Sequence, residues 1–215
     1  MSILHPIAAG DARIARYVCR AESADVSLEV AYDGGAPAPG DENPAQTRVT
    51  ARGMRRANPY VAGSPWIESW VSEYGDLRMP EGAWNGIDLA AITQERAFLG
   101  IGTILSEVAT NSGATLWEVQ TGNTPIYSVM LSMNGELLIV FNGYYGFVDP
   151  HGLANIAAYD VTGHKVWRAQ QPSPGDNFAN RPGYRDDKLE AASWHGWLCT
   201  IDDRTGKIID RRFTK

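Results

Sequence analysis

The strongest constraint on the fold is a phrase that occurs twice between Ile156 and Lys215. Each copy consists of an apolar run, a short turn with Asp and Gly, and a second apolar run. The copies are Ala158–Trp167 (AYDVTGHKVW) and Thr200–Ile209 (TIDDRTGKII). Glycine in such a turn adopts the positive φ that lets two strands return antiparallel. Each copy therefore predicts a β-hairpin.

The turn glycines recur at a near-regular interval. Gly113, Gly163 and Gly206 are 50 and 43 residues apart, and a strand-like run follows each of them. Intervals of about 40 to 50 residues are typical of propeller blades, small antiparallel sheets that bury their faces against their neighbours. Three copies are too few to close a ring, so the pattern predicts a partial, blade-like antiparallel sheet in the C-terminal half.

The two phrases resemble the blade repeat of quinoprotein-like propellers. The segment from about Ser128 to Lys215, which includes WHGW at Trp194–Trp197, resembles a group of small uncharacterised bacterial β-proteins associated with loci for toxins and their immunity proteins. This resemblance implies an immunity protein that neutralises a toxin. It implies no cofactor, because quinone-dependent enzymes need a complete ring and this chain is too short for one. The first 110 residues resemble no family.

Alternating apolar residues predict strands along much of the chain. Residues 13–33 and 47–54 read as strands in the N-terminal part, and Val26, Leu28, Val30 and Tyr32 share one face. Asn134–Gly135 between apolar runs is a strong hairpin signal. The strands predicted after Ala114 are Thr115–Val119, Ile126–Ser132, Glu136–Asn142, Ile156–Asp160, Lys165–Ala169, Leu189–Trp194, Trp197–Ile201 and Lys207–Phe213.

One segment, Ile87 to Asn111, has the period of a helix. Its residues on one helical face are Phe98, Ile101, Leu105 and Val108. Gly100 and Gly102 weaken a helix by about 1 kcal/mol each relative to alanine. The sequence thus predicts an α+β, β-rich fold with one principal helix at about 87–111. It divides the chain into an N-terminal β/α region, 1–111, and an antiparallel β region, 112–215, or joins both in one continuous domain.

Aromatic residues are concentrated between Arg55 and Asn85. Trp66, Trp70 and Tyr74 share one face in a helix and also in a strand, so periodicity leaves the element open. Together with Trp84 they either line a ligand groove or belong to the core, and the core is the simpler interpretation.

Sequence motifs give no support to catalysis. The histidines, His5, His151, His164 and His195, form no metal-binding pattern, although His151 and His195 are candidates for acid–base work. The chain lacks GxSxG, P-loop and GxGxxG motifs. Cys19 and Cys199 are predicted to be buried thiols rather than a disulfide. We therefore predict no enzyme activity, no cofactor, no catalytic residues and no metal site.

The net charge and the hydropathy of the chain limit the classes of partner that it can bind. The net charge is −6 and the basic residues are scattered, which argues against nucleic acid and suits a basic protein partner. No apolar run approaches the roughly 20 residues that span a bilayer, and the N-terminus lacks the features of a signal peptide. The sequence predicts a cytoplasmic protein that binds neither membrane nor nucleic acid.

Two long loops, Asn142–Leu153 and Gln170–Arg185, are the predicted binding regions, because loops on a rigid sheet usually carry function. Aromatic residues with complementary charge beside them are the usual anchors of protein interfaces, and these loops carry both aromatic and acidic residues. The predicted partner-binding residues are Tyr144, Tyr145, Phe147, Asp176, Phe178, Tyr184, Asp186 and Asp187. The predicted function is that of a non-enzymatic immunity protein with a basic toxin as partner. The alternatives are a small-molecule-binding domain or enzyme that uses Trp66 to Trp84, and a structural assembly component.

Overall fold

The computed structural model describes residues 7–8, 15–23, 26–34, 47–58, 60–61, 63–77, 90–93, 96–143 and 152–214, with side chains for all except 7–8, 15–20, 32–34, 47–48 and 75–77. Across these ranges the regular secondary structure is β-strand throughout. The strands form four antiparallel sheets, and each sheet is a meander of strands consecutive in sequence. We name the sheets blades 1 to 4 in chain order.

Blade 1 has five strands and blades 2 to 4 have four each. Blade 1 contains β1 (Ile7–Ala8), β2 (Ala15–Glu22), β3 (Val26–Gly34), β4 (Thr47–Arg56) and β5 (Trp66–Leu77). Blade 2 contains β6 (Ala90–Ile92), β7 (Ala97–Ile101), β8 (Ile104–Val108) and β9 (Thr115–Gln120). Blade 3 contains β10 (Ile126–Leu131), β11 (Leu137–Asn142), β12 (Leu153–Asp160) and β13 (Lys165–Gln170). Blade 4 contains β14 (Gly183–Arg185), β15 (Lys188–Ala192), β16 (Trp197–Ile201) and β17 (Ile208–Phe213).

The strands predicted after Ala114 are confirmed within one to three residues, and the segment around Trp70 is a strand. The helix at 87–111 is wrong, and so is the α+β class, because the described residues of that segment form β6, β7 and β8. Gly102, with φ +59°, occupies the turn between β7 and β8. Gly100 faces blade 3 so closely that a Cβ there would lie 2.6 Å from Val129. All five residues of β7 are buried, so the strand packs against neighbours on both of its faces. Its apolar residues are therefore not confined to one face, as they would be in an amphipathic helix.

Blade 3 lies between two apolar cores. In β11, Leu138 and Val140 belong to the core shared with blades 1 and 2, whereas Ile139 and Phe141 belong to the core shared with blade 4. All four are at most 3% exposed. A continuous apolar run is expected for a strand that is buried on both faces. The predicted division at residue 111 falls in the turn between the paired strands β8 and β9, and it stays a prediction.

At each junction between consecutive blades, a tryptophan of one blade packs on a turn glycine of the next blade. All three glycines have positive φ, and a Cβ on any of them would lie less than 3 Å from the indole. A larger residue would therefore separate the blades. The pairs are Trp70 with Gly113, Trp117 with Gly163, and Trp167 with Gly206. The repeat that the sequence shows in its turns is thus also a repeat of inter-blade contacts.

Blade 4 lacks the corresponding tryptophan. In β9 and β13 the tryptophan follows a bulge residue, Leu116 or Val166. In β17 the bulge falls at Ile209, and the next residue is the exposed Asp210, which pairs with Thr200. The outer strand of blade 4 consequently offers a carboxylate where the other blades offer an indole.

Asp160 holds the turn of the first repeated phrase. Its Oδ1 accepts hydrogen bonds from the backbone N–H groups of Thr162 and His164, at 2.8 and 3.0 Å, and from the Thr162 hydroxyl at 2.6 Å. The hydroxyl bond is the main cause that lowers the pKa of Asp160. These bonds favour the ionised carboxylate, so its contribution is present at neutral pH and is lost as pH falls through the lowered pKa.

We expect Asp160→Ala to lower the free energy of unfolding by no more than about 1 kcal/mol, because the turn is exposed and solvent screens the carboxylate. Urea unfolding of both proteins at neutral and acidic pH measures the effect. The difference between them should shrink at acidic pH. A constant difference would show that the charge of the carboxylate plays no part.

Candidate functional site

The connections between strands fall on two ends of the blades. Because neighbouring strands are antiparallel, the connection between the second and third strands of a blade lies at the same end as the connection to the next blade. We call this end the loop face; its described residues are 102–103, 121–125, 143, 152, 171–182 and 193–196. The opposite end is the turn face; its described residues include 57–58, 60–61, 63–65, 109–114, 132–136, 161–164, 186–187 and 202–207. The predicted binding loop 142–153 starts and ends on the loop face, whereas the predicted loop 170–185 starts there and includes β14, which runs to the turn face.

The segment that leaves β13 is held by its own polar groups. Gln171 Oε1 accepts from the N–H of Gly175 at 3.0 Å, and the N–H of Asp176 donates to the Ser173 carbonyl at 3.0 Å. Arg211 of β17 donates to the Pro172 carbonyl at 2.7 Å. The loop therefore has a defined shape on the surface of blade 4.

Asp176 organises a cluster of three side chains on the loop face, which we call the His195 cluster. The Asp176 carboxylate is fully buried, and its Oδ1 accepts from the backbone N–H of His195 at 3.2 Å. Its Oδ2 accepts from the Ser173 hydroxyl at 3.4 Å and lies 3.7 Å from His195 Nδ1. Ser173 Oγ lies 3.2 Å from the same Nδ1. The buried carboxylate thus binds the backbone N–H of His195 directly and reaches its ring through Ser173, while the His195 side chain remains 59% exposed.

The His195 cluster differs from a hydrolase triad. In a triad the serine and the carboxylate contact opposite nitrogens of the imidazole, so that Nε2 can take the serine proton. Here Ser173 and Asp176 both lie beside Nδ1. With the proton on Nδ1, the ring donates to Ser173 and the serine donates to Asp176, which leaves Nε2 as an oriented acceptor. This arrangement suits recognition of a donor on a ligand.

Other chemical groups contribute little to the site. Within the described ranges no group of three or more His, Cys, Asp and Glu side chains is placed to hold a metal ion. Cys199 is a buried free thiol, and burial raises its pKa to about 11, so it stays protonated and weakly nucleophilic at neutral pH. Cys19 is not among the residues whose side chains the structure describes. No described segment forms a helix with the length and apolar character that membrane crossing requires.

Phe178, a predicted partner residue, belongs to the core between blades 3 and 4 and is 0% exposed. Asn155, also buried, accepts from the Phe178 N–H at 3.0 Å and donates to the Phe178 carbonyl at 3.1 Å. The same amide donates to the Asn142 carbonyl at 2.9 Å. Asn155 thus ties the 171–182 loop to blade 3.

The remaining predicted partner residues are dispersed. Tyr184 donates to Asp203 Oδ2 at 2.8 Å on the turn face, and burial is the main cause that raises its pKa. Asp186 and Asp187, with φ +48° and +60°, form the exposed two-residue turn between β14 and β15. Tyr144, Tyr145 and Phe147 lie outside the described residues, as do His5, His151 and Trp84. The structure brings only Asp176 of the predicted residues to the His195 cluster, and partner binding by the set stays a prediction.

The sequence had marked His195 and Asp176 separately but missed Ser173 and the contacts among the three. Nothing in the local pattern signals them, because Ser173 and His195 are 22 residues apart on different connections. The aromatic segment has a structural explanation for one member: Trp70 is 8% exposed and donates to the Thr110 carbonyl of blade 2 at 3.1 Å.

Known proteins share this architecture. BamB from Moraxella catarrhalis has a TM-score of 0.50 at 15% identity, over 98% of this chain and 52% of that one. A europium-containing methanol dehydrogenase has a TM-score of 0.52 at 15% identity, over 86% of this chain and 40% of that one. Both are propeller-type proteins. The chain has a propeller-type fold, and it spans about half or less of the length of these two proteins.

A family model described as "Domain of unknown function (DUF7957)" matches residues 135–213, which include β11 to β17. None of the curated proteins matches the chain. The two solved structures confirm that the repeats resemble propeller blades. The resemblance extends from the C-terminal segment to all four blades.

Proposed function

We propose that this chain is a non-enzymatic protein that binds another protein through the loop face of blades 3 and 4. The observation that carries the proposal is the His195 cluster, in which a fully buried carboxylate binds the His195 backbone and the Ser173 hydroxyl contacts the exposed imidazole. A surface that is ordered before binding loses less conformational entropy when a partner docks.

Trp194 gives this surface an aromatic anchor. It is 44% exposed, it is adjacent to His195, and its backbone N–H donates to the Asn177 carbonyl at 3.1 Å. Tryptophan is among the residues that dominate binding energy in protein interfaces, and a neighbouring imidazole can fix the orientation of the partner. Tyr144, Tyr145 and Phe147, which belong to the connection between β11 and β12 and lie outside the described residues, stay predicted contacts.

The finer proposal is that the partner is a basic bacterial toxin and that the chain is its cytoplasmic immunity protein. The support is the resemblance of the C-terminal segment and the net charge of −6, which would speed association with a basic protein. Co-purification with the product of the adjacent gene tests it. A neighbour that is no toxin and does not copurify would remove this proposal.

We expect Trp194→Ala to weaken the complex with that partner by about tenfold, as loss of an aromatic anchor does. Calorimetric titration measures the affinity. The matched control is Leu116→Ala on β9, where an apolar side chain of 60% exposure lies away from the loop face. Equal affinities for the two variants would locate the binding surface elsewhere.

A further inference from the structure

The connection between β4 and β5 differs from its counterparts in the other blades. In blades 2 to 4 the last two strands are joined by tight turns. A tryptophan of the preceding blade packs on the glycine of each turn, Gly113, Gly163 or Gly206. Blade 1 has a longer loop, residues 57–65, at this place. Its Gly63 has positive φ, but no atom lies within 4 Å of the position of a Cβ. The packing of blades therefore does not explain this loop.

Hydrogen bonds connect the described residues of the loop. The Asn58 side chain accepts from the N–H of Tyr60 at 3.0 Å, and the Asn58 N–H donates to Ser64 Oγ at 2.8 Å. Ser64 is buried, and its carbonyl accepts from Arg56 at 2.9 Å. The base is closed by the N–H of Ala57, which donates to the Pro65 carbonyl at 2.9 Å.

The described residues at the tip of this loop are apolar and exposed. Tyr60 is 96% exposed and Val61 is 52% exposed. On β5 the exposed apolar residues continue with Ile67 and Val71, at 56% and 44%. Four of the ten large apolar residues that are exposed among the described side chains thus belong to the hairpin of β4 and β5. Concentrated exposure of this kind indicates an interaction surface, whereas single exposed residues do not.

The charge around the tip identifies the kind of partner. Arg55 and Arg56 precede the loop, and no acidic residue occurs between Arg56 and Glu68. Arg55 is exposed and reaches Thr110 Oγ1 at 3.5 Å, so it lies on the turn face beside the loop. The guanidinium of Arg56 lies 4.3 Å from the centre of the Trp66 ring. A basic, aromatic surface of this kind complements acidic and apolar groups.

We propose that the β4–β5 loop is a second protein-binding site, which takes an acidic segment with apolar side chains from a partner and uses Tyr60 as its anchor. It lies on the turn face, opposite the site in the proposed function, so both partners can be bound at once. A tyrosine whose backbone N–H is already hydrogen-bonded brings apolar area and a hydroxyl with little loss of entropy.

The test is selection of a random peptide library, displayed on phage, against the intact protein and in parallel against the double variant Tyr60→Ala/Val61→Ala. Leu116→Ala is the matched control, because it also removes an exposed apolar side chain. We expect peptides that bind the wild type and the control to share acidic residues beside apolar ones. Their affinity for the double variant should be at least about tenfold lower.

Thermal unfolding must show equal melting temperatures for the double variant and the wild type, as the exposure of both side chains predicts. If the melting temperatures differ, the single variants Tyr60→Phe and Tyr60→Ala replace the double variant. The proposal then requires that Tyr60→Phe keep most of the peptide affinity and that Tyr60→Ala lose it. Absence of enriched peptides, a consensus without acidic residues, or equal binding to Tyr60→Ala would overturn the proposal. Trp194→Ala should leave peptide affinity unchanged, so the failure of either site is distinguishable.

Discussion

Replacing Trp167 with alanine is expected to lower the free energy of unfolding by about 4 kcal/mol, the range found for large aromatic residues removed from a core. Trp167 is 7% exposed and packs on Gly206 of blade 4. Its Nε1 also donates to the Asp203 carbonyl at 2.9 Å. The substitution removes both contacts from the junction between blades 3 and 4. Urea unfolding followed by circular dichroism measures the change.

Two further variants separate packing from hydrogen bonding at this junction. Trp167→Phe keeps an aromatic ring but loses the Nε1 donor, so it should retain more than half of the stability that Trp167→Ala loses. Val166→Ala is the control, because Val166 is the neighbouring bulge residue and is 49% exposed; it should change the free energy of unfolding by less than about 0.5 kcal/mol. Equal effects of the alanine variants at positions 166 and 167 would contradict the docking role of the indole.

The turns could be predicted from the sequence because their chemistry is local. Gly163 and Gly206 have φ +88° and +71°, as the Asp-and-Gly turns predict, and Gly113, the weakest of the three copies, has φ +70°. The sequence also shows a tryptophan four residues after Gly113 and Gly163. What it does not show is that each of these side chains packs on the next blade rather than within its own. That contact joins residues about 40 positions apart.

The helix prediction failed because a helical interval of apolar residues also fits a strand with two buried faces. Phe98 and Ile101 are three positions apart in a strand whose residues are all buried, so neither face is polar and alternation disappears. Gly100 carried the useful signal. Its missing side chain makes room for Ile126 and Val129 of blade 3, a contact that only the assembled blades reveal.

The sequence predicted parts of the candidate site but not how they assemble. Ser173 and Asp176 lie in the predicted binding loop 170–185, whereas His195 lies outside both predicted loops and was noted for its residue type alone. Phe178, by contrast, suggested an exposed anchor and is a core residue. A loop aromatic points inward or outward according to the layer beneath it, and the position of blade 4 is set by contacts between cores rather than by the loop sequence.

Gly206→Ala is the sharpest test of the contact between blades 3 and 4. The new Cβ would lie 2.6 Å from Trp167 Cε3 and 3.1 Å from the Arg168 carbonyl oxygen, in a residue with φ +71°. We expect the free energy of unfolding to fall by about 3 kcal/mol, of which about 1 kcal/mol reflects the left-handed backbone and the remainder the overlap with the indole.

The control is Gly135→Ala, because Gly135 has φ +72° but no atom within 4 Å of its Cβ position. This variant should show only the backbone contribution of about 1 kcal/mol. The double variant with Trp167→Ala completes a cycle: once the indole is absent, Gly206→Ala should cost little more than Gly135→Ala, with a coupling energy of about 2 kcal/mol. Additive effects would show that Gly206 is required for its turn alone. The interaction between Gly206 and Trp167 would then contribute nothing to joining blades 3 and 4.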